Sequence, residues 1–245
     1  MTVHYERIGE VAVVTIARPE RRNAVARATA VALREAWDRF DGDDDVAVGI
    51  LTGAGGTFCS GADLVAFDLE ETDRGWLGAP QEGVSKPTIA AVAGHCVAGG
   101  LELALWCDLR VAGEDAVFGC FERRYGVPLV DGGTQRLPRI VGLGRALDMI
   151  LTGRPVAADE AARIGLVDRL VAPDTELDAA IDLARAIARH PQATVRTDRA
   201  AVYGGLGLPL AEGLAIEAEQ GRRVLDVAAA GARRFAFGER PTTGP

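Results

Sequence analysis

The chain has 245 residues, 48% of them hydrophobic and 25% charged, which is typical of a globular protein with a sizeable apolar core. Its formal net charge of −8 argues against nucleic-acid-binding proteins, which usually carry a basic balance or a basic stripe. The most apolar stretch, Thr88 to Leu105, is interrupted by His95, Glu102 and several glycines. Since the N-terminus also lacks a leader pattern, we expect no membrane span, no secretory leader and a cytoplasmic location.

The first half of the chain predicts strands that alternate with helices. Val3–Ile8 and the β-branched run Val11–Ile16 flank a short turn and predict a hairpin. Apolar residues then recur at helical spacing over Ala26–Phe40. Further strands are predicted at Val46–Leu51, Thr88–Val92, Leu109–Ala112, Ala116–Gly119 and Asp168–Val171. Strands in alternation with helices indicate an α/β fold with parallel pairing.

The other regions are predicted as loop and helix. Residues 68–86 are polar and punctuated by Gly and Pro, which predicts a mobile surface loop. A helix is predicted near Gly99–Trp106, and from Leu137 onward the chain is mostly helical. The stretch after about Pro191 is predicted as a separate helical layer that covers a face or meets another subunit.

The cysteines and histidines give little sign of a metal or a nucleophile. The four cysteines form no CxxC pair and no cluster with zinc spacing, so we expect reduced, buried thiols and no metal site. The three histidines are not spaced for a catalytic triad, and the GxSxG motif of many serine hydrolases is absent.

Two glycine-rich turns are candidates for binding an oxyanion. One contains Gly61-Ala62-Asp63, and the other contains Ala98-Gly99 at the start of a predicted helix. The first N–H groups of a helix have no intrahelical partner, and the helix dipole there favours negative charge. If the turns face each other, the N–H groups of Ala62 and Gly99 converge on one oxygen. Either turn taken alone is better explained by ordinary turn glycines.

Two glutamates are candidates for acid–base chemistry. Glu102 lies in the apolar segment LELALW, where a buried carboxylate is costly unless it is paired or functional. It follows Gly99 by three residues, so both lie on one face of the first helical turn. Glu122 lies in FGCFERRYG, where a surface glutamate paired with Arg123 or Arg124 is an equally good interpretation.

Four blocks of sequence carry a more specific signal than any single residue. They are GTFCSGADL, IAAVAGHCVAGGLELALWCDLRVA, FGCFERRYGVPLVDGGTQRLPRIVG and LTGRPVAADEAARIGLVDRLV. In this order and spacing they resemble the crotonase (enoyl-CoA hydratase/isomerase) family, from about Val3 to the C-terminal helices. The resemblance implies a crotonase-like spiral of repeated ββα units in residues 1–190 that binds acyl-CoA thioesters. It also implies a helical segment in residues 191–245 that covers the active site and assembles a homotrimer or a dimer of trimers.

The resemblance assigns roles to the candidate residues. The oxyanion hole uses the N–H groups of Ala62 and Gly99, and Glu102 and Glu122 hold the reacting water. The implied activity is that of a hydro-lyase of the β-oxidation type, which hydrates 2-enoyl-CoA with no cofactor beyond the coenzyme A of the substrate. The implied substrate contacts are Arg22, Ala24, Ser60, Gly61, Asp63, Leu64, Gly100 and Asp131. We also expect the 68–86 loop to form part of the pocket wall.

The residues around Glu122 depart from the hydratase pattern. Phe121 stands where hydratases often carry proline, and an ion pair with Arg123 or Arg124 would lower the basicity of Glu122 or turn it outward. Asp131 supplies another carboxylate nearby, which leaves double-bond isomerisation open.

Two further functions are compatible with the resemblance. They are crotonase-type thioester hydrolysis and non-catalytic binding of acyl-CoA, although the presence of both glutamates argues against the second. Family members often bind the CoA phosphates with a C-terminal lysine, but the sole lysine here is Lys86. The candidates for that role are Arg18, Arg21, Arg22 and Arg233.

Overall fold

The computed structural model describes residues 1–72, 75–79 and 83–238. The strands, numbered in chain order, are β1 (Val3–Ile8), β2 (Val11–Ile16), β3 (Val48–Gly53), β4 (Thr88–Val92), β5 (His95–Val97), β6 (Leu109–Gly113), β7 (Val117–Gly119), β8 (Val156–Ala157) and β9 (Arg169–Val171). The helices are α1 (Arg27–Gly42), α2 (Gly99–Trp106), α3 (Gly133–Val141), α4 (Leu143–Thr152), α5 (Ala158–Arg163), α6 (Glu176–Ala188), α7 (Gln192–Gly205), α8 (Leu210–Arg222) and α9 (Leu225–Ala236).

The larger sheet has the order β1-β2-β3-β4-β6-β9. β1 and β2 form the predicted hairpin, with Val3 opposite Ile16. Each later pair of neighbours in the described sheet is parallel, beginning with Val11 of β2 opposite Val48 of β3. The predicted α/β class and its parallel pairing are therefore confirmed.

The smaller sheet carries the start of α2. β5, β7 and β8 lie side by side in it, with β5 parallel to β7 and β8 antiparallel to β7. β5 is missed by the sequence prediction, which gives only a glycine-rich bend there. An isolated bridge between Cys59 and Cys96 joins the loop after β3 to β5. This bridge brings the two glycine-rich turns toward the same place.

Apolar side chains cover both faces of the larger sheet. On one face Val14 packs in the same cluster as Trp37 of α1. On the other face Val13 and Ile50 pack in a second cluster with Ile181 of α6. Successive residues of a strand point to opposite faces, so a strand that is covered on both sides is apolar throughout.

The described centre of the predicted surface loop is buried. Leu77, Ala79, Val84 and Lys86 are all buried, so the prediction of a surface loop over residues 68–86 is wrong for this part. Polar residues surround these positions in the sequence, so the apolar residues among them form no pattern that predicts burial. Residues 73–74 and 80–82 of that stretch lie outside the described residues.

The C-terminal helices form a layer with little contact to the core. None of α7, α8 and α9 has a buried residue in the single chain, and apolar side chains such as Leu210 and Phe235 face outward. Arg199 ties α7 to the core, because its Nε donates to both oxygens of Asp108 at 2.9 and 2.8 Å. The described helices include none that is long and apolar enough to cross a membrane. The division into units at residue 190 stays a prediction, and residues 239–245 lie outside the described residues.

Candidate active site

A cavity of about 380 Å³ opens between the loop after β3, the start of α2 and the segment that follows β7. Its described wall is largely apolar and aromatic, and its acidic members among the described residues are Asp63, Glu102 and Glu122. The wall includes the predicted catalytic residues Ala62, Gly99, Glu102 and Glu122 and the predicted substrate contacts Ser60, Asp63 and Leu64. The fold therefore assembles residues that are up to 62 positions apart in the sequence around one cavity.

The two glycine-rich turns meet at this cavity. Gly61 has a φ of +88°, and a Cβ there would lie 2.6 Å from the nitrogen of Gly99. A Cβ on Gly99 would lie 3.3 Å from the Cα of Gly61 and 2.6 Å from Cδ1 of Leu77. Glycine allows this close approach because it has no side chain to collide with its neighbours. The turns thus face each other, as the oxyanion hypothesis requires.

The N–H groups of Ala62 and Gly99 are not used by the fold. Ala62 lies in an isolated parallel bridge in which Val25 bonds to the carbonyl of Gly61 and the N–H of Asp63, leaving the N–H of Ala62 free. Gly99 is the first residue of α2, so its N–H has no intrahelical acceptor. Within the described part of the chain neither N–H donates to a protein acceptor. Both groups are available to a ligand in the cavity.

The carboxylate of Glu102 is buried and anchored. Its Oε1 accepts hydrogen bonds from the N–H groups of Asp131 and Gly133, each at 2.9 Å. Gly133 begins α3, so the carboxylate lies at the positive end of that helix. Burial raises the pKa of Glu102 to about 7, although the N–H donors favour the ionised form. A carboxyl group with this pKa can take up or release a proton near neutral pH.

The carboxylate of Glu122 is buried but not anchored. Glu122 lies in the 3₁₀ turn Phe121–Tyr125, which follows β7. Neither of its carboxylate oxygens has a hydrogen-bond partner among the described residues. Burial raises the pKa of this carboxyl group as well. An unpartnered buried carboxylate is costly, so its position in the cavity wall indicates a function.

The arginines beside Glu122 point elsewhere. Nε of Arg123 donates to a carbonyl oxygen of α4 at 3.2 Å, and Nη2 of Arg124 donates to the carbonyl that follows α4 at 2.9 Å. The guanidinium of Arg124 also lies 3.7 Å from the ring centroid of Phe121. Neither arginine forms an ion pair with Glu122 in the described part of the chain. The interpretation of Glu122 as a paired surface residue is therefore wrong.

Asp63 fixes the turn on which Ala62 lies. Its Oδ2 lies 2.8 Å from Nη2 of Arg18 in a largely buried ion pair. Its Oδ1 accepts the N–H groups of Val65 and Ala66 at 3.1 and 3.2 Å. Burial opposes the ionisation of Asp63, but the hydrogen bonds together lower its pKa. The guanidinium of Arg18, a candidate ligand for the CoA phosphates, is thus engaged by Asp63.

Several predicted substrate contacts lie outside the described cavity wall. They are Arg22, Ala24, Gly61, Gly100 and Asp131. A Cβ on Gly100 would lie 2.1 Å from the carbonyl oxygen of Cys59, so this glycine allows close packing. The carboxylate of Asp131 accepts the N–H groups of Trp76 and Leu77. Contact of these residues with a substrate stays a prediction.

The cysteines are buried and free, as expected. Burial raises the pKa of Cys59 and of Cys120 to about 12, so neither thiol ionises near neutral pH. The described residues contain no group of three or more His, Cys, Asp or Glu side chains that could hold a metal ion.

The apolar wall of the cavity includes part of the 68–86 loop, as predicted, but its individual residues are not identified by the sequence interpretation. It includes Phe67, Trp76, Leu77, Phe121 and Tyr125. The adjacent pair Trp76-Leu77 is a detectable signal, because it stands out in a polar stretch. Phe121 and Tyr125 have no such contrast with their neighbours and can be found only from the folded chain.

Comparisons with known proteins identify the family of this chain. The model of the enoyl-CoA hydratase/isomerase family matches residues 6–241. The chain is 39% identical over 199 residues to mevalonyl-coenzyme A hydratase of Aspergillus fumigatus, covering 78% of this chain and 74% of that protein. It is 38% identical over 223 residues to short-chain-enoyl-CoA hydratase of Clostridium acetobutylicum, covering 87% of this chain and 85% of that protein.

Solved structures show the same relationship. The crystal structure of enoyl-CoA hydratase EchA1 from Mycobacterium marinum matches with a TM-score of 0.93 and 37% sequence identity, covering 98% of this chain and 97% of that chain. The crotonase-like fold predicted from the sequence is confirmed. The chain belongs to the enoyl-CoA hydratase/isomerase (crotonase) family.

Proposed function

We propose that this protein is an enoyl-CoA hydratase, which adds water across the 2,3 double bond of a 2-enoyl-CoA thioester. One observation carries the proposal: the unpartnered carboxylate of Glu122 lines the same cavity as the anchored carboxylate of Glu102. Two carboxyl groups held in different ways suit a reaction in which one orients a water molecule and the other moves its proton. The relatives that are named as hydratases support this reading of the site.

The thioester oxygen binds the N–H groups of Ala62 and Gly99. These donors polarise the conjugated system, so C3 of the acyl group becomes electrophilic. Negative charge collects on the thioester oxygen as water adds, and each donor aimed at that charge stabilises it by about 3 kcal/mol. The positive end of α2 lies at Gly99 and favours the same charge.

Glu102 orients the water, and Glu122 moves its proton. The oxygen of the water bonds to C3, the π electrons shift to the thioester oxygen, and one proton of the water passes to Glu122. C2 of the enolate then takes a proton from the carboxyl group of Glu122, which returns to its starting state. The second hydrogen of the water stays in the product hydroxyl. Because both carboxyl groups share one water, the pH profile reports apparent pKa values of the pair.

The wall of the cavity favours an apolar acyl group. Phe67, Leu69, Trp76 and Val127 face the cavity, and no Lys, Arg or His side chain lies in its described wall. An acyl group that ends in a carboxylate would lose its hydration there without gaining a cation as a partner. The proposed substrates are therefore 2-enoyl-CoA esters with an uncharged acyl chain.

The proposal needs no cofactor beyond the coenzyme A of the substrate. A cytoplasmic location and a homotrimer or dimer of trimers are part of it. The outward apolar side chains of α8 and α9, such as Leu210 and Phe235, support assembly because a partner would remove them from water. Light scattering on the purified protein measures the oligomeric state.

The test of the activity uses purified protein with crotonyl-CoA and longer 2-enoyl-CoA esters. We expect the absorbance of the conjugated thioester to fall as water adds. A 3-enoyl-CoA ester is the second substrate, because an isomerase would convert it to the conjugated ester and raise the absorbance. Absence of hydration at every chain length, with conversion of the 3-enoyl ester, would replace the hydratase by an isomerase. Binding of acyl-CoA with no turnover of either ester would indicate a non-catalytic family member.

A matched pair of variants tests the role of Glu122. Glu176 is also buried and has an unpartnered Oε2 within the described chain, but it begins α6, outside the cavity wall. We expect Glu122→Gln to lose hydration and Glu176→Gln to keep it. Equal activity of the two variants would remove Glu122 from the mechanism.

A further inference from the structure

Leu77 lies directly over the proposed oxyanion site. The segment 75–79 has no helix or strand, yet Leu77 is buried. Its Cδ1 lies 2.6 Å from the position that a Cβ on Gly99 would occupy, so its side chain packs against the Gly99 backbone. Trp76 and Leu77 both line the cavity. Whatever holds this segment also determines how closely the wall approaches the reacting carbons.

The carboxylate of Asp131 holds the segment. Oδ1 accepts the N–H of Trp76 at 2.9 Å, and Oδ2 accepts the N–H of Leu77 at 2.6 Å. Gly75 has a φ of +90°, and a Cβ there would lie 2.6 Å from Oδ1 of Asp131. The chain thus bends closely around this carboxylate, which is itself buried. Irregular backbone lacks the hydrogen bonds of a helix or sheet, so these two bonds to a buried carboxylate tie the segment to the core.

The same residue is joined to the anchored glutamate. The backbone N–H of Asp131 donates to Oε1 of Glu102 at 2.9 Å. Nη1 of Arg136 donates to the carbonyl oxygen of Asp131 at 2.7 Å. The main chain of Asp131 therefore positions Glu102, and its side chain positions Leu77. Asp131 therefore supports both the cavity wall at Leu77 and the carboxylate of Glu102.

We infer that Asp131 is a positioning residue that places Leu77 against Gly99 and so sets how firmly short acyl groups are held. This inference rests on the proposed function. A crotonyl group fills only part of a cavity of about 380 Å³, so its placement depends on the wall beside the reacting carbons. A longer acyl chain is also held by the rest of the apolar wall and depends less on Leu77.

The experiment compares kcat/KM for crotonyl-CoA with kcat/KM for 2-dodecenoyl-CoA. Asparagine has one acceptor oxygen where aspartate has two, so Asp131→Asn leaves one N–H of the segment without its partner. We expect Asp131→Asn to lower kcat/KM for crotonyl-CoA by about tenfold and for 2-dodecenoyl-CoA by about twofold. Leu77→Ala should change the ratio of the two values in the same direction. In the double variant, Asp131→Asn should add no further change to the ratio, because its effect passes through Leu77.

Asp168→Asn is the matched control. Asp168 also accepts a backbone N–H, from Arg110 at 2.8 Å, and pairs with the Arg110 guanidinium at 2.9 Å, but it lies outside the cavity wall. We expect this variant to lose stability without a change in the ratio. The inference is wrong if Asp131→Asn, like Asp168→Asn, leaves the ratio of the two kcat/KM values unchanged. It is also wrong if the effect of Asp131→Asn on that ratio adds in full to the effect of Leu77→Ala.

A binding measurement separates this inference from the proposed function. Calorimetric titration with butyryl-CoA and dodecanoyl-CoA, which cannot be hydrated, gives a ratio of dissociation constants for each variant. We expect Asp131→Asn to weaken the binding of butyryl-CoA more than the binding of dodecanoyl-CoA. This holds even if the wild type hydrates neither crotonyl-CoA nor 2-dodecenoyl-CoA. An unchanged binding ratio in an active enzyme overturns the role of Asp131 alone. A wild type that binds no acyl-CoA overturns both.

Discussion

Glu102 and Glu122 line one cavity, but the chain holds their carboxylates in different ways. Glu102 lies on the regular helix α2, and two N–H groups at the start of α3 fix its Oε1. Glu122 lies on a short 3₁₀ turn, and neither of its oxygens has a partner among the described residues. Hydrogen bonds lower the free energy of the first carboxylate and fix its direction. The second lacks that stabilisation and keeps both oxygens free to react.

In the proposed mechanism this difference separates the placement of the water from the transfer of its proton, and glutamine variants test that separation most directly. We expect Glu122→Gln to lower kcat for crotonyl-CoA by about 10³-fold, because an amide cannot take up a proton from water at neutral pH. Glu102→Gln keeps an oxygen that can accept the N–H groups of Asp131 and Gly133, so we expect a smaller loss of about 10²-fold. Steady-state kinetics measure both. A larger loss in Glu102→Gln would reverse the roles assigned to the two residues.

The glycine turns give the next largest effect, because in the proposed mechanism both carboxylates act on a substrate that the turns hold. A Cβ in Gly61→Ala would collide with the nitrogen of Gly99, so we expect kcat to fall by about 300-fold as the oxyanion donors move apart. Gly56→Ala is the control: Gly56 also has a positive φ, of +70°, but nothing lies within 4 Å of its Cβ. Both variants strain the backbone, and only the first reaches the site. Similar kinetics in the two would contradict convergence of the turns.

The two glutamates also differ in how far the sequence predicts them. The apolar surroundings of Glu102 make burial expected, and its spacing from Gly99 predicts that both residues lie at the same cavity. Its bonds to Asp131 and Gly133 depend on tertiary packing of α3 and have no local signal. Glu122 is ambiguous in the sequence, since adjacent arginines offer an ion pair that only the folded chain excludes. The family resemblance, and not the local pattern, identifies it.

The sequence also predicts some elements of the fold better than others. Strands such as β4 and the helix α2 have the predicted bounds, because their apolar runs are long and end at clear turns. The three-residue strand β5 has too few residues for a detectable period. Residues 75–79 are predicted as exposed loop because their neighbours are polar, yet the carboxylate of Asp131 draws them against α2. Long-range hydrogen bonds of this kind leave no pattern along the chain.

The pH dependence of stability tests the burial of Glu102. Its pKa in the folded protein is about 7, above the ordinary value of 4.5. The folded protein therefore holds a proton that the unfolded chain has released, so the stability contributed by this group is full below about pH 4.5 and is lost as the pH rises through 7. Over that pH range we expect the free energy of unfolding of the wild type to fall by about 3 kcal/mol relative to that of Glu102→Gln. Urea unfolding at several pH values measures the difference, and a constant difference would show that Glu102 ionises as it does in water.

The smallest expected effect is that of Arg123, the residue that follows Glu122 in the chain. Arg123 makes no direct bond to Glu122, but its positive charge lowers the pKa of that carboxyl group against the larger effect of burial. Arg123→Ala should therefore raise the pKa of Glu122 and move the acidic limb of the kcat/KM profile toward higher pH. We expect the maximal rate to change by no more than about twofold, because a solvated charge without a direct contact contributes little. Arg124→Ala serves as the comparison, since that guanidinium stacks on Phe121. A tenfold loss in Arg123→Ala would mean that Glu122 is held by an ion pair in solution, and the contrast between an anchored and a free carboxylate would not stand.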